Sequence, residues 1–140
     1  MTLPGQVFCD TSFFYACLDP SDENHPPAAQ LVAKAAESRT AFLTTWDIVS
    51  ETATLLRYRN SYESAMTFLM EVKPTLVITT YGDQVRTDAV DLFGRYGEDH
   101  RLSFCDAISF VVVTTLLDDI PCLAFDRDFR ALGLTVLASG

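Results

Sequence analysis

Five short apolar runs punctuate the chain, and the segments between them carry the period of an α-helix. Gln6-Val7-Phe8-Cys9, Ala41-Phe42-Leu43-Thr44, Leu76-Val77-Ile78-Thr79, residues 121–125 and residues 134–137 are too short for helices and too apolar for loops. They read as strands with both faces buried. Helical segments are predicted at residues 28–37, at 46 to about 59 with Val49, Ala53 and Leu56 on one stripe, and at 60–72, closed by Pro74. Further helices follow at 82–96, stopped by Gly97, and at 103–117, which is almost wholly apolar. A short helix at 126–132 ends at Gly133. Residues 19–27, with three prolines and three acids, read as a loop, and Pro26 and Pro27 suit the first turn of the next helix. Strands that alternate with helices require parallel βαβ units. The predicted fold class is therefore α/β: a three-layer sandwich around a central, mostly parallel sheet of about five short strands.

No repeat, low-complexity tract or linker divides the 140 residues, so a single domain over 1–140 is expected. An apolar fraction of 49% excludes a disordered chain. The four cysteines, Cys9, Cys17, Cys105 and Cys122, form no C-x-x-C pair, and three of them sit in apolar runs. That pattern points to free thiols and a reducing compartment. Met1-Thr2-Leu3-Pro4-Gly5 lacks the basic and apolar regions of a signal peptide. The apolar run from Phe110 to Leu117 is far short of the roughly 20 residues of a bilayer span. A soluble, cytoplasmic protein with no membrane contact is the expectation.

The charge balance is one-sided: 19 acids against 10 basic residues, net −9. No Lys/Arg tract offers a basic route to nucleic acid. The acids need a reason to gather, and several stand at telling places. Asp10 follows the first strand and Asp126 follows the fourth, so parallel strands would bring both to one edge of the domain. Either alone can be a plain N-cap, worth on the order of 1 kcal/mol. Asp106 lies in line with Phe110, Val113 and Leu117 on a helix with almost no polar face, where a lone ionised carboxylate is costly. Ser103-Phe104-Cys105-Asp106 also fits a capping box, and the two readings are compatible. Glu51 stands between Ile48 and Leu55, beside the apolar stripe of its helix. Asp128 adds a fifth acid. Carboxylates gathered in this way suit a hard divalent cation such as Mg²⁺, which keeps positions open for substrate phosphate and activates water at neutral pH.

At these residues the sequence resembles the PIN-domain family, and within it the VapC-type toxin ribonucleases of toxin–antitoxin pairs. The likeness rests on Asp10-Thr11-Ser12 after the opening strand and on Val49-Ser50-Glu51 in the helix after the second. It continues with Leu102-Ser103-Phe104-Cys105-Asp106-Ala107-Ile108 at the apolar helix and Leu123-Ala124-Phe125-Asp126-Arg127-Asp128-Phe129 near the end. It implies a Mg²⁺- or Mn²⁺-dependent endoribonuclease in which Asp10, Glu51, Asp106 and Asp126 are the catalytic, metal-holding quartet and Asp128 is auxiliary. Thr11 or Ser12 would supply a hydroxyl near the metal or phosphate. The resemblance also implies an RNA substrate, a small antitoxin partner and a homodimer. Many relatives carry Thr where this chain has Ala124, so that hydroxyl is missing.

Arg127 and Arg130, beside the fourth acid, are candidate phosphate contacts, with surface ion pairs as the alternative. His100 and Arg101 precede the Asp106 helix and read as a solvated loop within reach of substrate. Two histidines, His25 and His100, without metal-ligand spacing argue against a zinc site, and no phosphate-binding glycine loop occurs. Phe13, Phe14, Tyr15 and Trp46 read as helix packing first and as a partner surface second. Two alternatives remain open: a PIN-like binding module with a silent site, motivated by Ala124, and a phosphohydrolase of the haloacid-dehalogenase kind, motivated by Asp126 and Asp128.

Overall fold

Residues 2–137 are described by the structure, a computed structural model. β1 (Gln6–Cys9) lies inside the sheet, between β2 (Ala41–Thr44) and β4 (Cys122–Leu123), and β3 (Val77–Ile78) flanks β2. Every pair is parallel. Successive residues of a strand point to opposite faces, yet Val7, Phe8 and Cys9 are all fully buried. Both faces of β1 are therefore covered, which requires helices on each side of the sheet. The helices pack in two groups, α1 (Thr11–Leu18) against α2 (His25–Ser38) and α3 (Trp46–Arg59), and α5 (Asp83–Tyr96) against α6 (Phe104–Leu116). α4 (Tyr62–Thr67) packs on α3, and α7 (Arg127–Ala131) follows β4.

The sheet has four strands where about five are expected. Residues 134–137 contribute only an isolated parallel bridge from Val136 to Cys122, supported by Cys122 N–H donating to the Thr135 carbonyl and Leu137 N–H donating to that of Cys122. Gly133, at φ +94, turns the chain into this bridge, which is one residue long. Residues 138–140 and Met1 lie outside the described part of the expected single domain. α2 starts at His25, three residues earlier than expected, because Pro26 and Pro27 fill positions that need no N–H and His25 Nδ1 bonds the Ala16 carbonyl at 2.7 Å. The helix expected over 60–72 breaks up: after α4 the chain widens into a π-type turn at Phe68–Val72 and tightens into a 3₁₀ turn at Lys73–Thr75. Pro74 is the cause, since its ring displaces the carbonyl four residues back and it has no N–H to donate. Phe68 stays fully buried through this break, 5.3 Å from the ring of Phe14.

Phe13 and Phe14 are core residues, whereas Trp46 is 54% exposed with Lys73 Nζ 4.8 Å above its ring. All four cysteines are free. Among the described residues no helix is long and apolar enough to cross a membrane. What matters for function is the strand order. The chain builds outward from β1 through β2 to β3, then returns to the other side of β1 as β4. The order reverses between β1 and β4, and in parallel sheets a crevice opens at such a point, at the carboxyl ends of the strands.

Candidate metal centre

Asp10 leaves β1 at that crevice and caps α1, its Oδ2 accepting from Ser12 N–H at 3.2 Å and from the Ser12 hydroxyl at 2.9 Å. Asp126 comes off β4 and caps α7, its Oδ1 accepting from Asp128 N–H at 2.9 Å. Ser12 ties the two strand ends together, because its Oγ also accepts from Phe125 N–H at 2.9 Å. Asp106 arrives from a third direction, at the start of α6, in a complete capping box. Ser103 N–H donates to Asp106 Oδ2 at 3.2 Å and Asp106 N–H donates to Ser103 Oγ at 3.0 Å. One oxygen from each of Asp10, Asp106 and Asp126 lies within 4.8 Å of the others. Local cap chemistry thus orients three carboxylates, and the strand order brings them to one point.

This proximity is electrostatically unfavourable. At that separation and an effective dielectric of about 20, each ionised pair repels by on the order of 3 kcal/mol. The proton affinities reflect it. Burial first, and the charge of Asp126 after it, push the Asp10 carboxyl from 3.8 up to about 6 despite the bonds from Ser12. Burial and then the charge of Asp10 push Asp106 up to about 7. Asp126 is raised as well, by burial first and with Asp128 contributing. Asp10 Oδ1 is buried and has no hydrogen-bond partner among the described residues. Three gathered carboxylates, one of them with a buried oxygen that no donor satisfies, have the donor chemistry of a hard divalent cation, so these residues fit Mg²⁺ or Mn²⁺. Cys105, beside Asp106, does not compete for that role: burial first, then the charges of Glu51, Asp10 and Asp106, keep its thiol protonated.

The three acids and Glu51 line a cleft of about 430 Å³. Glu51 reaches it from α3 and lies outside the tight triad of carboxylates. Thr11 lines the cleft with Ser12, and its buried Oγ1 has no partner among the described residues. Asp128, Arg127 and Arg130 do not line the cleft; Arg130 instead extends a guanidinium nitrogen to the Val136 carbonyl at 3.5 Å. The cations that do line it are Arg59 and Arg101. Tyr15, Asp22, Asn24 and Leu55 complete its lining; from sequence, Tyr15 reads as helix packing and none of the four is assigned to the site. A signal for Leu55 and Arg59 was present, since they follow Glu51 in steps of four residues and share one face of α3 with it. The Asp126–Asp128 pair follows β4, while the haloacid-dehalogenase chemistry expects such a pair after the first strand.

A family model for the PIN domain matches residues 7–134. The chain belongs to the PIN-domain family. Among solved structures it is similar to the Mycobacterium tuberculosis toxin VapC20, described as a sarcin–ricin-loop-cleaving toxin. The two share 27% identity over 92% of this chain and 96% of that one, with a TM-score of 0.79. No curated protein sequence matches. In this PIN domain the acids carried by the family resemblance come to one crevice from four elements. Asp10 comes from the end of β1, Glu51 from α3, Asp106 from α6 and Asp126 from beyond β4.

Proposed function

We propose that this PIN domain is a Mg²⁺- or Mn²⁺-dependent endoribonuclease, the toxin of a toxin–antitoxin pair. The observation that carries the reading is the triad of Asp10, Asp106 and Asp126, which brings one oxygen of each within 4.8 Å of the others and includes a buried Asp10 oxygen with no hydrogen-bond partner among the described residues. The likeness to VapC20 over nearly the whole of both chains supports it. When bound, a divalent cation supplies Lewis-acid stabilisation of the charge that grows on phosphorus and makes water nucleophilic at neutral pH. Asp10, Asp106 and Asp126 would hold the ion. Glu51, which lines the same cleft from α3 outside the triad, would accept a proton or orient water. Ser12 fixes the Asp10 rotamer, and Thr11 lines the cleft beside it with its hydroxyl buried. The three carboxylates gather although position 124, two residues before Asp126, is Ala and offers no hydroxyl. The same reading places the protein in the cytoplasm, as a homodimer with an antitoxin that covers the cleft.

The test is RNA cleavage by the purified chain with Mg²⁺, with Mn²⁺ and with EDTA, beside Asp10→Ala and Asp106→Ala. Cleavage is expected only with the ions and only in the unaltered chain. Retained cleavage in both variants overturns the assignment. Calorimetry that finds no divalent binding in the wild type favours the silent binding module instead.

A further inference from the structure

The cleft does not end at the acids. Along α3 the residues that line it are Glu51, Leu55 and Arg59, and at about 1.5 Å per residue Arg59 lies about 12 Å beyond Glu51. α1 runs beside α3, and its Tyr15 lines the same outer part. The Tyr15 hydroxyl is committed to Asp19 Oδ2 at 2.8 Å, so the tyrosine offers the cleft its ring rather than its hydroxyl. Arg101 stands on the rim near the acid end, two residues before Ser103. Asp22 and Glu51 line this cleft too, yet neither arginine is ion-paired among the described residues. The ion pairs there are Arg86–Asp83 and Arg95–Asp91, both on α5. A chain of net charge −9 with only ten basic residues has set two unpaired guanidinium groups on the lining of this acidic cleft. Long-range attraction cannot bring RNA to such a chain, so local cations must do it.

We propose that the outer end of the cleft is a subsite for the nucleotide next to the scissile bond, with Arg59 gripping its phosphate against the wall of Leu55 and Tyr15. Arg101 grips the backbone at the acid end. The subsite rests on the ribonuclease reading and deepens it. Because Arg59 is remote from the triad, it contributes equally to the bound substrate and to the transition state. Its loss therefore raises KM and spares kcat.

The experiment compares wild type, Arg59→Ala, Arg101→Ala and Arg57→Ala on a labelled RNA stem-loop that the wild type cleaves with Mn²⁺. Arg57 removes the same charge from the same helix end, but it lies over the Tyr62 ring and does not line the cleft. Arg59→Ala is expected to raise KM on the order of tenfold, as for one charge-assisted hydrogen bond, with kcat nearly unchanged. Arg59→Ala and Arg101→Ala are each expected to flatten the dependence of log KM on log salt by about 0.7. Arg57→Ala is expected to match wild type. Trimming the RNA by one nucleotide from the scissile bond, on one side only, should reproduce the Arg59→Ala loss and make that variant indistinguishable from wild type. Arg59→Gln, which keeps a long polar stem, serves if the alanine variant melts lower. Wild-type KM and salt slope in the Arg59 variants, or an equal loss in Arg57→Ala, overturns the subsite while leaving the ribonuclease reading intact. A wild-type chain that cuts no RNA with either ion overturns that reading itself.

Discussion

Replacing Asp10 by Asn should stabilise the metal-free protein, and more so at neutral than at acid pH. Asp10 releases its proton near 3.8 in the unfolded chain and at about 6 in the folded one. Between those values the folded chain holds a proton that the unfolded chain has lost, so stability falls as pH rises through that window and is flat above it. At about 1.4 kcal/mol for each tenfold in proton affinity, the loss amounts to about 3 kcal/mol at pH 7.5 and about half of that at pH 5. Asn removes this term. Its oxygen still accepts from the Ser12 N–H and hydroxyl, and its NH₂ takes the place of the unpartnered Oδ1 beside the other two carboxylates. Asp106, which the charge of Asp10 helps to raise, relaxes as well. Urea denaturation in EDTA should therefore show Asp10→Asn more stable than wild type by about 2–3 kcal/mol at pH 7.5, with the gap roughly halved at pH 5 and equal m values. Saturating Mn²⁺ reverses the order, because only the wild type keeps all three ligands and gains stability by mass action. A variant no more stable than wild type in EDTA at pH 7.5, or a gap that ignores pH, refutes the reasoning.

Two further substitutions probe how the carboxylates are held. Ser12→Ala leaves Phe125 N–H without its acceptor and frees Asp10 Oδ2 of one donor. It should lower stability by about 1–3 kcal/mol in urea melts and weaken Mn²⁺ binding by calorimetry. Ser103→Ala removes the acceptor for Asp106 N–H but leaves the Ser103 backbone bond to Asp106 Oδ2. A loss of about 1 kcal/mol, with metal binding largely kept, is the expected result.

What was legible in the sequence was local chemistry. Asp10 and Asp126 stand out because an acid after an apolar strand and before a helix has the signature of an N-cap. Ser103 and Asp106 spell out a capping box that the structure contains in full. The first strand was legible as a buried one, since Val7, Phe8 and Cys9 leave it no polar face. Its place in the sheet was not, because Cys122 and Leu123 of β4 are as fully buried and lie at the edge of the four-stranded order. Properties set by distant parts of the chain were less so. Residues 134–137 look as strand-like as residues 6–9, yet they pair through one bridge only, because strand status depends on a partner. The arginines show the same limit. Arg127 and Arg130 are close to Asp126 in sequence, but a five-residue helix turns them away from the cleft. Arg59 is 67 positions from Asp126 and still lines the same cleft, because eight residues of α3 carry it there on the face of Glu51.

The cap reading and the metal reading of these acids are one arrangement rather than rivals. Asp10 caps α1, Asp126 caps α7, and Asp106 closes the first turn of α6. Each acid is tethered by N–H groups at a helix start, so three helix N-termini converge on one crevice. The partial positive charge at each start offsets some of the repulsion among the carboxylates, by about 0.3–1 kcal/mol apiece, against on the order of 3 kcal/mol for each ionised pair. The offset is too small to restore ordinary acidity, and Asp10 and Asp106 stay raised to about 6 and about 7. It is large enough to fix their rotamers before any cation arrives. The same repulsion that weakens the metal-free fold is then the reason a divalent ion binds: it meets an oriented, incompletely neutralised set of oxygens. Stability without metal and affinity for metal must therefore move in opposite directions across substitutions of the triad.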